Sequence, residues 1–277
     1  MVRTASCWYA LNPAMPVLLR PDGVVQVGWD PQRAVLVRPP GDLTVARLAD
    51  VLRSMRSPTS IAELQRQAGK DLTPLVTQLV SAGVATRGDG TSAGRAASIR
   101  VHGRGPLSDL MVQALRGSGV RVRQSSQPHA TVTTAAVDLV ILADYLVADP
   151  HIVRDLHTAG VPHLPVRVRD GTGLVGPLVI PGVTSCLGCA DLHRRDRDAA
   201  WPAIAAQLRD TVGVADRATL LATAALALSQ VNRVITAVRG QHPDPDPPSA
   251  INATLEFDLH ANSIVARPWT RHPLCGC

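Results

Sequence analysis

Ser98-Ile99-Arg100-Val101-His102-Gly103-Arg104-Gly105-Pro106-Leu107-Ser108 decides how the larger part of this chain is read. An apolar strand runs into a glycine-bearing turn, and a helix over residues 109–116 follows it. A second strand is expected at 120–123 and a third at 137–142, Val-Asp-Leu-Val-Ile-Leu. The third is apolar almost throughout, as a parallel strand buried on both faces requires. Strand, glycine turn, helix, strand is the opening of a Rossmann-like α/β unit, with Asp144 placed just after the buried strand. Pro106 and Ser108 interrupt the full G-x-G-x-x-G pattern, and the third glycine, needed for close helix packing, is absent, so dinucleotide binding is disfavoured.

Further along, Cys186-Leu187-Gly188-Cys189 and Cys275-Gly276-Cys277 form two close pairs. Four thiolates at this spacing suit tetrahedral Zn²⁺ with no open position for water, which makes the site structural and not catalytic. An iron–sulfur cluster uses similar ligands and stays open as an alternative. Two disulfides would need an oxidising compartment, and no secretory signal is visible behind Met1-Val2-Arg3-Thr4. A redox C-x-x-C expects a strand before it and a helix after it, whereas residues 181–185, Pro-Gly-Val-Thr-Ser, read as a loop. Cys7 is left as a buried or idle thiol.

Between the pairs, Asp191, Arg194, Arg195, Asp196, Arg197 and Asp198 alternate in charge, as on a solvated helix face with local ion pairs. The functional alternative is a docking surface built from His193, Arg194 and Arg195, in which His193 is a contact and not a base. Residues 216–239 read as a long Ala/Leu helix, either central to the core or a subunit interface. Residues 253–259 and 263–267 alternate as a hairpin around His260-Ala261-Asn262 and deliver Cys275 and Cys277 to the metal.

Upstream, residues 85–97 are small and polar, as in a linker, and Pro243, Pro245, Pro247 and Pro248 mark a second loop. Before the linker, residues 16–20, 24–28 and 34–38 read as three short strands. Three helices follow. Leu43, Ala46, Leu48, Val51 and Leu52 form the apolar face of the first, Ser60 caps the second, and Leu72, Leu75, Val76 and Leu79 line a third that stops at Gly83. Three strands and three helices describe a small winged-helix unit. Its third helix carries no arginine and few groups for base edges, so a nucleic-acid partner is not expected.

The 277 residues suffice for two domains, and with 3% aromatics their cores must be built from Val, Leu, Ile and Ala. The formal charge of +6 comes almost wholly from arginines scattered among aspartates, Lys70 being the only lysine. No apolar stretch reaches the ~20 residues of a membrane span, so a cytoplasmic protein is expected.

Several of these features point to known families. The order of elements in the first unit resembles the PqqD-like peptide-recognition domain of ribosomal peptide pathways. That resemblance implies a leader peptide adding as a strand to the sheet edge over the third helix, with Val35, Val37, Leu75 and Leu79 bordering the groove. The Rossmann-like opening joined to two cysteine pairs resembles the ThiF/MoeB-like activating enzymes. Gly176-Pro177-Leu178-Val179-Ile180-Pro181-Gly182 before Cys186, the stretch Asp191-Leu192-His193-Arg194-Arg195-Asp196-Arg197-Asp198-Ala199-Ala200-Trp201-Pro202, and the ending His272-Pro273-Leu274-Cys275-Gly276-Cys277 are similar to the cyclodehydratase-associated ThiF-like proteins of thiazole/oxazole-modified peptide biosynthesis. The resemblance covers nearly the whole chain. It implies a structural zinc, a precursor-peptide partner, a YcaO-type partner enzyme and a possible homodimer.

The chain departs from the activating enzymes where ATP would sit. Asp144 could take the place of the magnesium aspartate, and Gly103 and Gly105 that of a vestigial cofactor turn. Residues 124–137 are too short, however, for the strand and helix that carry the phosphate-binding arginine and lysine, and ATP chemistry looks lost. The expected organisation is a winged-helix unit over 1–85, a linker over 86–97 and a ThiF-like domain over 98–277, working as a scaffold that presents a peptide and makes no bonds itself. Two alternatives remain: an ATP-dependent adenylyltransferase of a sulfur-carrier or ubiquitin-like protein, and a zinc-stabilised interaction module.

Overall fold

The computed structural model describes residues 7–88, 95–126, 137–240 and 247–277, and the chain divides into two compact units, 1–93 and 94–277. Half of the expected linker (89–94 of 86–97), Pro243 and Pro245, and residues 127–136 lie outside the described residues. Both units mix helices and strands, and the second holds a seven-stranded mixed sheet.

In the first unit the order is β1 (Trp8–Leu11), β2 (Val17–Leu19), β3 (Val25–Val27), β4 (Val35–Val37), α1 (Val45–Ser54), β5 (Thr59–Ser60), α2 (Ile61–Ala68), α3 (Thr73–Ser81) and β6 (Ala85–Gly88). Three strands and three helices stand where sequence pattern puts them. Each helix has a local cause for its start or stop. The Thr44 hydroxyl accepts the Arg47 amide of α1 at 3.2 Å, and Ser60 accepts that of Glu63 in α2 at 3.2 Å. Gly69 ends α2 in the left-handed region (φ +68°), where a side chain would be strained.

Strands β2, β3 and β4 form an antiparallel sheet with β4 on one edge, Val25 facing Val37 and Val27 facing Val35. A second small sheet, β5-β1-β6, is a correction to the sequence reading. Residues 85–88 belong to no linker: they pair antiparallel with β1, from Leu11 opposite Ala85 to Trp8 opposite Gly88. Only Ala85 of β6 is buried, so the strand lacks the apolar alternation that would announce it. On α1, Ala46 faces solvent and Ala49 joins Leu48, Val51 and Leu52 in the core.

The second unit runs β7 (Ser98–His102), α4 (Pro106–Arg116), β8 (Arg121–Ser125), β9 (Leu139–Ala143), α5 (Pro150–Thr158), β10 (His163–Arg169), β11 (Thr172–Val175), α6 (Leu187–Arg197), α7 (Trp201–Leu208), α8 (Arg217–Val238), β12 (Ala253–Asp258) and β13 (Ser263–Pro268). The sheet order is β13-β12-β11-β10-β9-β7-β8. Strands β8, β7, β9 and β10 are parallel, and β10 through β13 pair antiparallel. Along β9, Leu139, Ile141 and Ala143 enter one core with Met111, Leu115, Val231 and Ile235, while Val140 and Leu142 enter another with Ile152, Leu156 and Leu187. That split explains its uninterrupted apolar run: alternate residues serve opposite faces, and both faces are covered.

Helix α4 begins at Pro106, three residues before the start expected from sequence, because proline at the first helical position lacks only an amide that has no partner there anyway. Helix α8 is long and apolar enough to cross a membrane. Here Ala227, Val231 and Ile235 pack it into the core, and Asp216 caps it by accepting the Thr219 amide at 3.0 Å.

Candidate functional site

The loop before α6 is tied down from two sides. The Ile180 amide donates to Thr184 Oγ1 at 2.9 Å, and the Ser185 amide to Asn252 Oδ1 at 2.8 Å. Cys186 is then the cap of α6, its sulfur accepting the Cys189 amide at 3.4 Å. The expected loop is present, but the helix starts at once behind it, so both cysteines stand at a helix N-terminus. From the other end of the unit, the Cys275 amide donates to the His272 carbonyl at 3.0 Å and the Leu274 amide to His272 Nδ1 at 3.1 Å. With Nδ1 accepting, His272 carries its proton on Nε2 and donates it to Asp196 Oδ2 at 2.8 Å.

These supports bring four sulfurs together. Cys186 Sγ lies 3.8 Å from that of Cys189 and 3.5 Å from that of Cys275, and the Cys189 and Cys277 sulfurs are 3.4 Å apart. All four lie within 4.8 Å of one another. A zinc–sulfur tetrahedron with bonds of about 2.3 Å has edges of about 3.8 Å, so the donor set fits a closed four-thiolate metal site. Gly188 sits against the sulfurs: a Cβ there would meet Cys186 Sγ at 3.4 Å and Cys275 Sγ at 3.7 Å. Burial pushes the Cys186 thiol up. At Cys189 burial acts the same way but is outweighed by hydrogen bonds from backbone and neighbouring thiols, and the group comes down to about 7. Cys7 lies in the other unit, within 3.1 Å of Arg87.

The charged stretch after Cys189 divides: Arg195, Asp196, Arg197 and Asp198 are exposed, as on a solvated face, while Asp191 and Arg194 are half-buried. Arg194 pairs with Asp191 at 2.9 Å and lies between two indoles, 5.0 Å from the ring of Trp201 and 5.1 Å from that of Trp269. Trp201 Nε1 donates to the same Asp191 oxygen at 3.1 Å. His193 Nε2 lies 3.2 Å from the Thr270 carbonyl oxygen, its ring edge-on to His272 at 4.8 Å. Arg195 remains exposed, with Asp196 at 3.7 Å. The contacts of His193 and Arg194 therefore join α6 to α7 and to the segment after β13.

Gly103, Gly105 and Asp144 are also brought together, in an arrangement that sequence spacing does not reveal. Asp144 is 1% exposed and sits in left-handed backbone, φ +75°, directly after β9. Its Oδ1 accepts the Leu107 amide at 2.8 Å, and its two oxygens lie 3.3–3.4 Å from the Ser108 amide. The carboxylate thus occupies the first turn of α4, where the oxygens of a bound anion would sit. A Cβ on Gly103 would lie 2.8 Å from Asp144 Oδ2, and one on Gly105 2.9 Å from Asp144 Cγ. Both glycines are needed for the close approach of the chain's own carboxylate. Burial raises the Asp144 pKa against the pull of these hydrogen bonds. Lys70, in the first unit, pairs with Asp42 at 2.5 Å.

Of the residues expected to border a peptide groove, Val37 (3% exposed) and Leu79 (0%) are core. Their side chains join the core cluster of the first unit with Leu48, Leu52 and Val76. Val35 and Leu75 are half-buried at its margin, and Leu36, unremarked in the sequence, is 52% exposed on β4. Sequence reasoning also passes over His163 and Arg167, two buried polar residues of β10; single polar residues in an apolar run carry no spacing signal.

No family model matches this sequence, and no curated protein matches it. Solved structures do share its fold. A heterocyclase in complex with substrate and cofactor aligns with a TM-score of 0.65 at 13% identity, over 97% of this chain and 39% of its own. The heterocyclase TruD gives a TM-score of 0.64 at 16% identity, over 98% of this chain and 42% of its own. MccB of E. coli, solved with ATP, gives 0.58 at 12% identity, over 97% of this chain and 99% of its own. The chain spans about two-fifths of the heterocyclase chains it matches. What these identities establish is a common fold with heterocyclases and with MccB.

Proposed function

We propose that this chain is a catalytically reduced ThiF-like scaffold of a peptide-modification pathway. Its first unit, read as a PqqD-like winged helix over about 1–85, binds the leader segment of a precursor peptide. Its second, a Rossmann-like domain with a structural zinc on Cys186, Cys189, Cys275 and Cys277, docks a YcaO-type enzyme, to which the peptide is presented. The heterocycle-forming chemistry lies in this reading outside these residues, in the partner.

The observation that carries the reduced-catalysis reading is the Asp144 carboxylate seated on the Leu107 and Ser108 amides, which takes donors a nucleotide phosphate would need. The fold shared with a heterocyclase solved with its substrate supports the peptide role. So does the edge position of β4, which leaves one side of the strand for pairing, with Leu36 and Leu18 exposed on the face around Gln26.

Isothermal titration of the full chain with the leader sequence encoded beside it is the test. Saturable binding is expected, weakened at least about tenfold by Leu36→Asp, since an exposed aspartate at the new strand's border costs little folding energy but spoils an apolar contact. Absence of binding to the wild-type chain rejects the reading.

A second reading, ATP-dependent adenylyl transfer to a carrier protein or peptide, is favoured by the match to nearly the whole of MccB, a protein solved with ATP. ATP–pyrophosphate exchange with candidate carriers separates the two. The seated Asp144 leads us to expect none, and exchange would overturn the scaffold.

A further inference from the structure

Along β10 the side chains part. Leu164, Val166 and Val168 join the core shared with α8, whereas Arg167 and Arg169 line the opposite face of the sheet. There they form the floor of a cleft of about 1410 Å³, walled by α5, α6, α7 and the β12–β13 hairpin. Seven arginines line it against three carboxylates, Asp191, Asp198 and Glu256. Two of these carboxylates are already engaged, Asp191 with Arg194 at 2.9 Å and Glu256 with Arg169 at 3.5 Å and with Arg267 at 2.5 Å.

Arg167 is the member without an explanation. It is 9% exposed, yet it makes no hydrogen bond or ion pair with any of the described residues. Burial, and after it the guanidinium of Arg194, push its pKa down to about 10, with Asp191 pulling weakly the other way. A guanidinium largely withdrawn from water beside a second cation destabilises the free protein, and its five donors find no protein acceptor among the described residues. Such a group is accounted for when a ligand brings the acceptors.

We propose that this cleft binds an acidic peptide segment, one of whose carboxylates sits two-pronged on Arg167. Arginine forks match carboxylates in this way. The volume exceeds the roughly 300–1,000 Å³ of small-molecule pockets, and Trp201 and Trp269, the two indoles against Arg194, add apolar surface to its lining. The amides that would favour a phosphate, at the start of α4, face Asp144. The cleft lies wholly in the second unit, so the proposal stands apart from strand addition in the first.

The test is fluorescence anisotropy of fluorescein-labelled hexaglutamate with the metal-loaded full chain at low salt. Saturable binding is expected, absent for hexaglutamine, reduced at least about tenfold in Arg167→Met and less in Arg167→Lys. Arg116→Met removes the same charge from the exposed side of α4 and is expected to bind as wild type. Without peptide, Arg167→Met should melt higher than wild type, because an unpaired buried charge is gone. The proposal fails if wild type does not bind hexaglutamate, if Arg116→Met weakens binding as much as Arg167→Met, or if Arg167→Met melts lower. It fails too if ATP or inorganic pyrophosphate displaces the peptide at concentrations below those at which the peptide itself binds.

Discussion

His163 opens β10 fully buried, with Nδ1 3.1 Å from the Val161 carbonyl oxygen and Nε2 without a partner among the described residues. Burial is the main reason its pKa falls from 6.5 to about 4, and the neighbouring His157, 5.6 Å away ring to ring, adds to it. Between those values the unfolded chain binds a proton that the folded chain refuses. The stability this neutral histidine contributes is therefore complete above pH 6.5 and is lost as pH falls toward 4. At about 1.4 kcal/mol per pH unit the loss is about 3 kcal/mol. Urea unfolding of wild type and His163→Phe across this window should show the wild type losing about that much more, since the phenyl ring fills the site without titrating. Parallel pH profiles would remove His163 from the account. Nothing in the sequence marks it, because one histidine ahead of an apolar run looks like any strand residue.

At the scale of elements, the contact of α8 with β11 depends on a missing side chain. A Cβ on Gly173 would collide with Thr223 Oγ1, on a residue that is itself 0% exposed and donates to the Thr219 carbonyl at 2.7 Å. Gly173→Ala should cost about 1–3 kcal/mol in equilibrium unfolding by forcing helix and strand apart. Adding Thr223→Ala should recover part of it, because the Thr223 Cβ would still stand 3.1 Å from the new methyl. A neutral Gly173→Ala would mean the two elements pack less closely than described. The same crossing shows what was legible. Helix α8 and β9 follow from apolar composition because they bury what it says they should, whereas the β12–β13 hairpin follows from its alternation although Ile264 and Val265 of β13 stay exposed. Strand β10 does not announce itself, since its polar arginines face a cleft that only the assembled sheet creates. Helix α5 buries only Ile152 and Leu156, too little for a periodic signal, and β6 is held by its ladder to β1 and not by its own side chains.

For the whole molecule the decisive closure is the sulfur cluster, which joins positions 89 residues apart, Cys186 before α6 and Cys275 after the edge strand β13. Which four cysteines meet was readable from their pairing. The frame that presents them was not, because the His272–Asp196 hydrogen bond and the Arg194 stack between Trp201 and Trp269 join residues far apart in sequence. That frame decides how metal loss should register. Besides the sulfurs, the end of the segment after β13 is held by His272 on Asp196 and by Arg271 on the Gly182 carbonyl at 2.6 Å, both with an exposed partner, while Trp269 and Thr270 at its start contact Arg194, His193 and Thr254. Exposed contacts of this kind are worth about 0–1 kcal/mol each. Four thiolates on one zinc contribute far more, since most of the binding free energy of a structural zinc becomes folding free energy. In a unit of this size about 1 kcal/mol shifts Tm by roughly 2–4 °C, so stripping the metal should lower the melting temperature by at least about 10 °C. Protein purified under reducing conditions should carry one zinc per chain by elemental analysis. Cys186→Ser should lose both the metal and that stability, whereas His272→Gln, which relaxes only the frame, should keep zinc and melt a few degrees lower. Metal-free protein that melts where the untreated protein does would leave the sulfurs as a packed thiol cluster, with the surrounding hydrogen bonds carrying the closure alone.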